Sequence, residues 1–259
     1  MVVKFLSKII AMVNQKGGVA KTTSAINLCA YLADCGKKTL LIDCDPQSNA
    51  TSGLGIERKD LQYSVYDVLV NGISPEEAVT HSEFKGLDIL PSTISLAGAE
   101  IELVSVVARE TRLKRALRGF RDNYDFIIID CPPSLGLLTL NALTVADSMI
   151  IPLQCEYYAL EGLSQLMNTF ELVKRHLNPD LRLEGILLTM FDPRTNLSLQ
   201  VAEEARSYFG DAVFSSIIPR SVRLSEAPSH GLPILYYDSK SKGAEMYCRL
   251  AQELIERNS

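Results

Sequence analysis

The chain has 259 residues, an apolar share of 47% and a formal net charge of −5. That length is enough to bury a sizeable α/β core. The acidic balance excludes the general basic excess of most nucleic-acid binders, so any DNA contact must come from a local patch. No apolar run approaches the roughly 20 residues that span a bilayer. Residues Met1 to Lys8 have neither the long apolar core nor the cleavage site of a secretory leader. Six cysteines (Cys29, Cys35, Cys44, Cys131, Cys155, Cys248) form no CxxC pair and have no histidine nearby. That usage points to a reducing cytoplasm with buried thiols, and away from structural zinc.

In chain order, Ile9-Ile10-Ala11-Met12-Val13 reads as a buried strand, followed by a helical pattern with Ala25, Leu28, Cys29 and Leu32 on one face. Between them lies Lys16-Gly17-Gly18-Val19-Ala20-Lys21-Thr22-Thr23. Strand, glycine turn and helix start form the context that a phosphate-binding loop requires. Adjacent glycines let backbone N–H groups converge on an anion with no Cβ in the way. The helix adds its free N–H groups and positive dipole end. Lys21 is then placed for the terminal phosphates and Thr22 for Mg²⁺. The pattern GxxxxGK[ST] is not met, because its glycine positions fall on Gln15 and Ala20. What fits is a variant with a second lysine, Lys16, ahead of the glycine pair.

Gly36-Lys37-Lys38 ends this helix, and Thr39-Leu40-Leu41-Ile42-Asp43 forms the next strand, a continuous apolar run of the kind that parallel sheets bury on both faces. Asp43-Cys44-Asp45-Pro46-Gln47 leaves its carboxyl end, and Ser48 to Gly55 reads as a loop. Short helical patterns occupy residues 60–85, with Pro75 at a first helical position after Ser74 as cap. A short strand is expected at Leu87–Pro91 and a long helical region from Leu96 to Phe120. The latter carries a basic cluster (Arg109, Arg112, Lys114, Arg115, Arg118) that reads as a solvated face before a ligand surface. Phe126-Ile127-Ile128-Ile129-Asp130 is the third strong strand, and four apolar residues ending in an acid form the Walker B arrangement, whose carboxylate holds Mg²⁺. Further strands are expected at 148–153, 185–190 and 213–218, with helices at about 136–146, 158–176, 196–208 and 242–257. This alternation predicts one doubly wound, mostly parallel sheet flanked by helices, in a single domain over residues 1–259, with ligands at the strands' carboxyl ends.

Three strand-end elements therefore converge: the phosphate loop, Asp43 with Asp45, and Asp130. They describe a Mg²⁺-nucleotide site with spare carboxylates to position water. At these residues the chain resembles the ParA/Soj branch of deviant-Walker ATPases, a group of P-loop NTPases that also includes MinD. The likeness runs through Lys16 to Thr23, Leu41 to Gln47 and Ile128 to Pro133. It continues through Gln154-Cys155-Glu156-Tyr157-Tyr158-Ala159-Leu160-Glu161-Gly162, Asp192 to Asn196 and Ile218 to Ser229.

The resemblance implies roles residue by residue. Lys16 matches the signature lysine that crosses a dimer interface to the partner's nucleotide, acting in trans as an arginine finger does. Lys21 matches the phosphate lysine in cis and Thr22 the Mg²⁺ ligand. Asp45 matches the residue that positions the attacking water, and Asp43 supports the metal shell. Pro219 and Ser221 match adenine contacts. Arg194, Arg220 and Arg223 lie in segments resembling those that carry nonspecific DNA contacts; surface salt bridging is the alternative. Two departures stand out: Ala20 replaces the glycine usual before the lysine, and Ser221 stands where many relatives have asparagine.

The function implied is an ATPase that dimerises on ATP, binds double-stranded DNA nonspecifically and partitions a chromosome or plasmid with a ParB/Spo0J-like partner. It would be cytoplasmic and nucleoid-associated, with ATP and Mg²⁺ as cofactors. Because the sequence starts almost at the first strand, no N-terminal operator-binding extension is expected. The alternative is a MinD-like membrane switch, which wants a basic amphipathic C-terminus. Leu250 to Ser259 is acid-bearing instead, so no stable membrane association is expected. An iron–sulfur ATPase would need a paired cysteine motif, and none occurs.

Overall fold

The computed structural model describes residues 7–156 and 159–259. Met1 to Leu6 of the leader reading, and Tyr157 and Tyr158 of the motif after Gln154, lie outside the described residues. Strands β1 (Lys8–Met12), β2 (Thr39–Asp43), β3 (Thr80–His81), β4 (Leu87–Leu90), β5 (Phe126–Asp130), β6 (Ser148–Gln154) and β7 (Arg182–Thr189) form one sheet. Their spatial order is β3-β4-β2-β5-β1-β6-β7. All neighbours run parallel except β3 against β4.

The strands read as continuous apolar runs because helices cover both faces. Alternate residues point to opposite sides: Ile9, Ala11, Leu40, Ile42, Ile127 and Ile129 enter one core, while Ile10, Met12, Leu41 and Ile128 enter the other. Around the sheet run α1 (Lys21–Asp34), α2 (Asn49–Gly53), α3 (Pro75–Ala78), α4 (Leu96–Glu102), α5 (Arg112–Ala116), α6 (Leu137–Val145) and α7 (Ala159–His176). The set is completed by α8 (Asn196–Phe209), α9 (Val222–Glu226), α10 (Ile234–Tyr237) and α11 (Lys242–Arg257). Helices α4 to α8 cover the first core, and α1 packs with α11 over the second. The apolar face of α11 (Met246, Tyr247, Leu250, Leu254) is buried there, so this amphipathic helix already has its partner within the chain. No described helix is long and apolar enough to cross a membrane.

Register carries the functional consequence. Met12 pairs with Asp130, and Asp130 pairs in turn with Asp43. Three adjacent strands thus end level, which lines up the segments that follow them at one rim of the sheet.

Three expectations are corrected. Leu96 to Phe120 is not one helix: α4 gives way to 3₁₀ turns and α5 is only a short helix. Ala108, with φ 55°, reverses the chain after the β-branched stretch Val104–Val107, and Gly119 ends the region with φ 82°. The loop at Ser48 to Gly55 contains α2. The strand expected at 213–218 is reduced to isolated bridges, Ile186 with Val213 and Phe191 with Pro219. Its middle is diverted: the N–H groups of Ser215 and Ser216 donate to the Glu253 carboxylate (2.9 and 3.1 Å) and not to a neighbouring strand. Within the basic cluster, Arg112 is structural, since it donates to the carbonyls of Leu69 and Val70 at the end of a π-helical turn.

Candidate nucleotide site

The loop after β1 is tied down at both ends. The Asn14 amide donates to the Pro152 carbonyl (2.7 Å) and accepts from the Lys16 N–H (2.9 Å), while the Thr189 hydroxyl donates to the Val19 carbonyl (3.1 Å). Between these ties the chain turns through Gly18 (φ 73°) and Ala20 (φ 63°). A Cβ added at Gly17 or Gly18 would meet nothing within 4 Å, so the glycines keep an open hollow above the loop. Ala20 caps α1 in the left-handed region and makes no side-chain hydrogen bond to the helix end, whose first N–H groups therefore face the hollow. A methyl in that conformation costs about 1–2 kcal/mol.

Lys21 is 7% exposed, and its Nζ folds back onto the Lys16 carbonyl (3.3 Å). Burial lowers the ammonium pKa, while the charges of Asp130 and Asp45 oppose that shift. Thr22 and Thr23 are half-buried beside it. Asp130 is fully buried and neither carboxylate oxygen has a hydrogen-bond partner. Burial, then the charge of Asp43, raises its pKa; the nearby Thr22 hydroxyl and Lys21 pull the other way without satisfying the oxygens.

Asp43 and Asp45 divide their work. The buried Asp43 carboxylate accepts from the Thr51 N–H (2.8 Å), the Thr51 hydroxyl (2.7 Å) and the Asp45 N–H (3.2 Å). Its pKa is pushed up to about 6, by burial first and against those hydrogen bonds. It therefore anchors the turn that presents Asp45. Asp45 uses one oxygen to accept from the Gln47 N–H (2.9 Å), and its carbonyl accepts from the Ser92 hydroxyl (2.8 Å).

An orphaned carboxylate beside a threonine hydroxyl and a lysine suits Mg²⁺ held jointly with phosphates. Mg²⁺ takes one or two carboxylates plus substrate oxygens and waters, and not an all-protein cage. Among the described residues no cluster of three or more His, Cys, Asp or Glu offers such a cage. The residues that fit are Thr22 and Asp130, with Asp43 behind them.

A cavity of about 330 Å³ opens beside the loop, lined in part by Ala20, Thr23, Met190, Pro219, Ser221 and Tyr247. Pro219 and Ser221 thus reach the same hollow edge as the helix start. Sequence reasoning missed Met190, which holds φ 50°, and Tyr247, whose hydroxyl lies 2.9 Å from the Ser24 Oγ. Neither sits in a recognisable motif; a buried tyrosine facing the first helix is visible only once α11 is docked.

The three arginines are exposed and each has a carboxylate. Arg194 donates to Asp192 from Nε and Nη2 (2.9 and 2.8 Å), Arg220 pairs with Glu156 (3.4 Å), and Arg223 pairs with Glu226 (3.2 Å) and Asp238 (3.5 Å). Arg194 and Arg220 both lower the pKa of Asp192, Arg194 chiefly. Lys16 is outside the loop's interior, with its ammonium 3.7 Å from Glu156 and about two-fifths of its side chain exposed.

With this geometry in place, comparison with known proteins is decisive. The AAA domain family matches residues 7–183. Over 96% of this chain and 98% of its own length, the sporulation initiation inhibitor protein Soj of Bacillus subtilis is 61% identical. The chain belongs to the ParA/Soj family. Other relatives are the chromosome partitioning protein ParA of Myxococcus xanthus (58% identical, covering 98% of this chain and 90% of its own) and the chromosome-partitioning ATPase Soj of Treponema pallidum (52%, 98% and 99%). Among solved structures, cobyrinic acid a,c-diamide synthase from Mycobacterium smegmatis with bound ATP analogue and magnesium superposes with a TM-score of 0.85 at 40% identity, covering 97% of this chain and 95% of its own. The Pyrococcus furiosus cell division ATPase MinD gives 0.81 at 26%, covering 97% and 99%. The doubly wound fold of the ParA/MinD P-loop NTPases is thus shared across the group.

Proposed function

We propose that this ParA/Soj-family chain is a Mg²⁺-dependent partitioning ATPase that dimerises on ATP, binds DNA nonspecifically and works with a ParB/Spo0J-like centromere-binding partner. The observation that carries the reading is the buried Asp130 carboxylate, left without a hydrogen-bond partner beside Thr22 and Lys21 at the start of α1. A buried carboxylate with no partner costs stability, and a cation held with phosphate oxygens supplies what it lacks. The names and ligands of the relatives point the same way.

In this reading the loop N–H groups and Lys21 bind the phosphates, and Thr22 and Asp130 hold Mg²⁺. Bound Mg²⁺ supplies neutralisation of phosphate charge. Asp45, presented by the Asp43–Thr51 anchor, orients the attacking water and accepts its proton at the free carboxylate oxygen. Pro219 and Ser221 contact the adenine. Lys16 points away from its own hollow and serves the partner subunit's nucleotide, a contribution worth about 10³–10⁵ in rate for a comparable arginine finger. Arg194, Arg220 and Arg223 meet phosphates on DNA. In an acidic chain this patch is weak alone, and joining two copies raises it by effective concentration.

A mobility-shift titration with ATP, ADP or no nucleotide, across a salt series, tests the reading. Binding only with ATP, falling steeply with salt, is expected; equal binding in all three states overturns it. Lys16→Ala should still bind ATP yet hydrolyse it poorly and stay monomeric. Unchanged hydrolysis in that variant removes Lys16 from the mechanism.

A further inference from the structure

The end of β6 holds an acid that the roles above leave unused. Glu156 places one oxygen 3.7 Å from the Lys16 ammonium and the other 3.4 Å from the Arg220 guanidinium. The second oxygen also accepts from the Gln154 amide (2.6 Å), which fixes the carboxylate between the two cations. Those cations come from different segments of the nucleotide site. Lys16 opens the phosphate loop, while Arg220 lies in the segment that lines the cavity beside Pro219 and Ser221. One acid therefore touches the lysine reserved for a partner subunit and an arginine reserved for DNA.

We propose that Glu156 is a positioning residue that holds Arg220 away from DNA in the nucleotide-free chain, through a carboxylate it shares with Lys16. The inference rests on the DNA-binding reading given above. A guanidinium engaged by a carboxylate must give that partner up before it meets a phosphate, and the exchange lowers affinity. Asp192, the other acid near Arg220, is already engaged by Arg194 through two hydrogen bonds. Glu156 is therefore the acid that pairs with Arg220. Nucleotide reaches both of its partners: the partner subunit's nucleotide draws Lys16 away, and the chain's own nucleotide enters the cavity that Arg220 helps to line. Exposed ion pairs are weak, so the device is a bias and not a lock. That suits a contact which has to be released in every cycle.

The test uses the full chain and a labelled random-sequence duplex, followed by fluorescence anisotropy across a salt series with and without ATP. Glu156→Gln should raise nucleotide-free DNA affinity about two- to fivefold, the range an exposed pair allows. The log–log salt dependence should steepen by up to about one. In the double variant Glu156→Gln with Arg220→Ala the gain should vanish. Glu83→Gln makes the same charge change just ahead of β4, at the amino end of the strands, and should move neither quantity. Unchanged affinity and slope in Glu156→Gln, with the unsubstituted chain binding DNA in ATP, overturns the inference alone. So does a gain that survives Arg220→Ala or is reproduced by Glu83→Gln. No DNA binding by any form in ATP overturns the underlying reading and the inference with it.

Discussion

Asp130 is the residue whose environment most contradicts its chemistry, since burial disfavours its charge while Asp43 sits one strand away. A carboxyl whose folded pKa is raised loses stability as pH climbs from the unfolded value, near 3.9, through the folded one. Asp130→Asn should therefore stabilise the metal-free, nucleotide-free chain by about 1–3 kcal/mol at pH 8. The gain should shrink toward zero as pH falls below about 3, where both states carry the proton. Urea unfolding at the two pH values checks this, and the variant should at the same time lose Mg²⁺-dependent hydrolysis. A variant less stable than its parent at pH 8 would show that the charge is satisfied. Asp43, pushed up to about 6, adds to the same loss between about pH 4 and 6. Ala20 offers a second measurement. Its φ of 63° suits glycine better than alanine, so Ala20→Gly should raise stability by up to about 1 kcal/mol after the entropy cost of glycine. A lower urea midpoint would mean that methyl packing outweighs the strain.

At the level of elements, the middle of the segment from Val213 to Ile218, where the sequence predicts a strand, is held by side-chain chemistry, while Phe214 and Ile218 keep backbone bonds to β7. Glu253 on α11 accepts from the N–H and hydroxyl groups of both Ser215 and Ser216 and pairs with Arg257. Partial burial pushes its carboxyl pKa up, and these hydrogen bonds outweigh that and hold it below the usual range. A depressed carboxyl gives stability above its unfolded pKa, near 4.3, and loses it as pH falls through the folded value. Glu253→Ala should cost about 1–3 kcal/mol at pH 7, a difference that closes in acid. It should also weaken nucleotide affinity, because the freed segment leads into Pro219 and Ser221. Thermal unfolding and titration of a fluorescent ATP analogue read the two effects; unaltered nucleotide affinity would separate the segment's anchor from the cavity.

The same segment marks where the sequence stops being legible. Strands β1, β2 and β5 were readable because burial on both faces leaves an unbroken apolar run, and the loop because two glycines and two lysines stand between strand and helix. Asp43, Asp45 and Asp130 were readable as strand-end acids. Their division of labour was not, because it depends on Thr51 and Ser92 arriving from other segments. The break of the 96–120 region turns on Ala108 at positive φ, a conformation that alanine does not advertise. Tyr247 and Met190 reach the site only through tertiary packing, from positions whose neighbours carry no pattern, while Glu156 lies in a stretch that carries the family likeness but does not show its pairing with Lys16 and Arg220.

For the whole molecule, the groups at the strand ends and those at the rim are held in different ways. Asp43, Asp130 and the phosphate loop sit on neighbouring strands of one sheet in fixed register. The adjustable groups lie at the periphery: Lys16 and Arg220, both exposed, both held by weak pairs.

Lys16, with its ammonium turned out of its own loop, carries a consequence for abundance. An enzyme that borrows a group from a second copy cannot work at a fixed pace per molecule. On dilution below the dimerisation constant, total hydrolysis should fall with the square of concentration, and in the saturated regime it should become linear. A steady-state series over two or three decades of protein, at fixed ATP, distinguishes the two; strict proportionality throughout would assign the lysine to its own subunit. Under the quadratic law a cell that doubled its supply would quadruple the output, and the chain would then act as a gauge of its own local crowding.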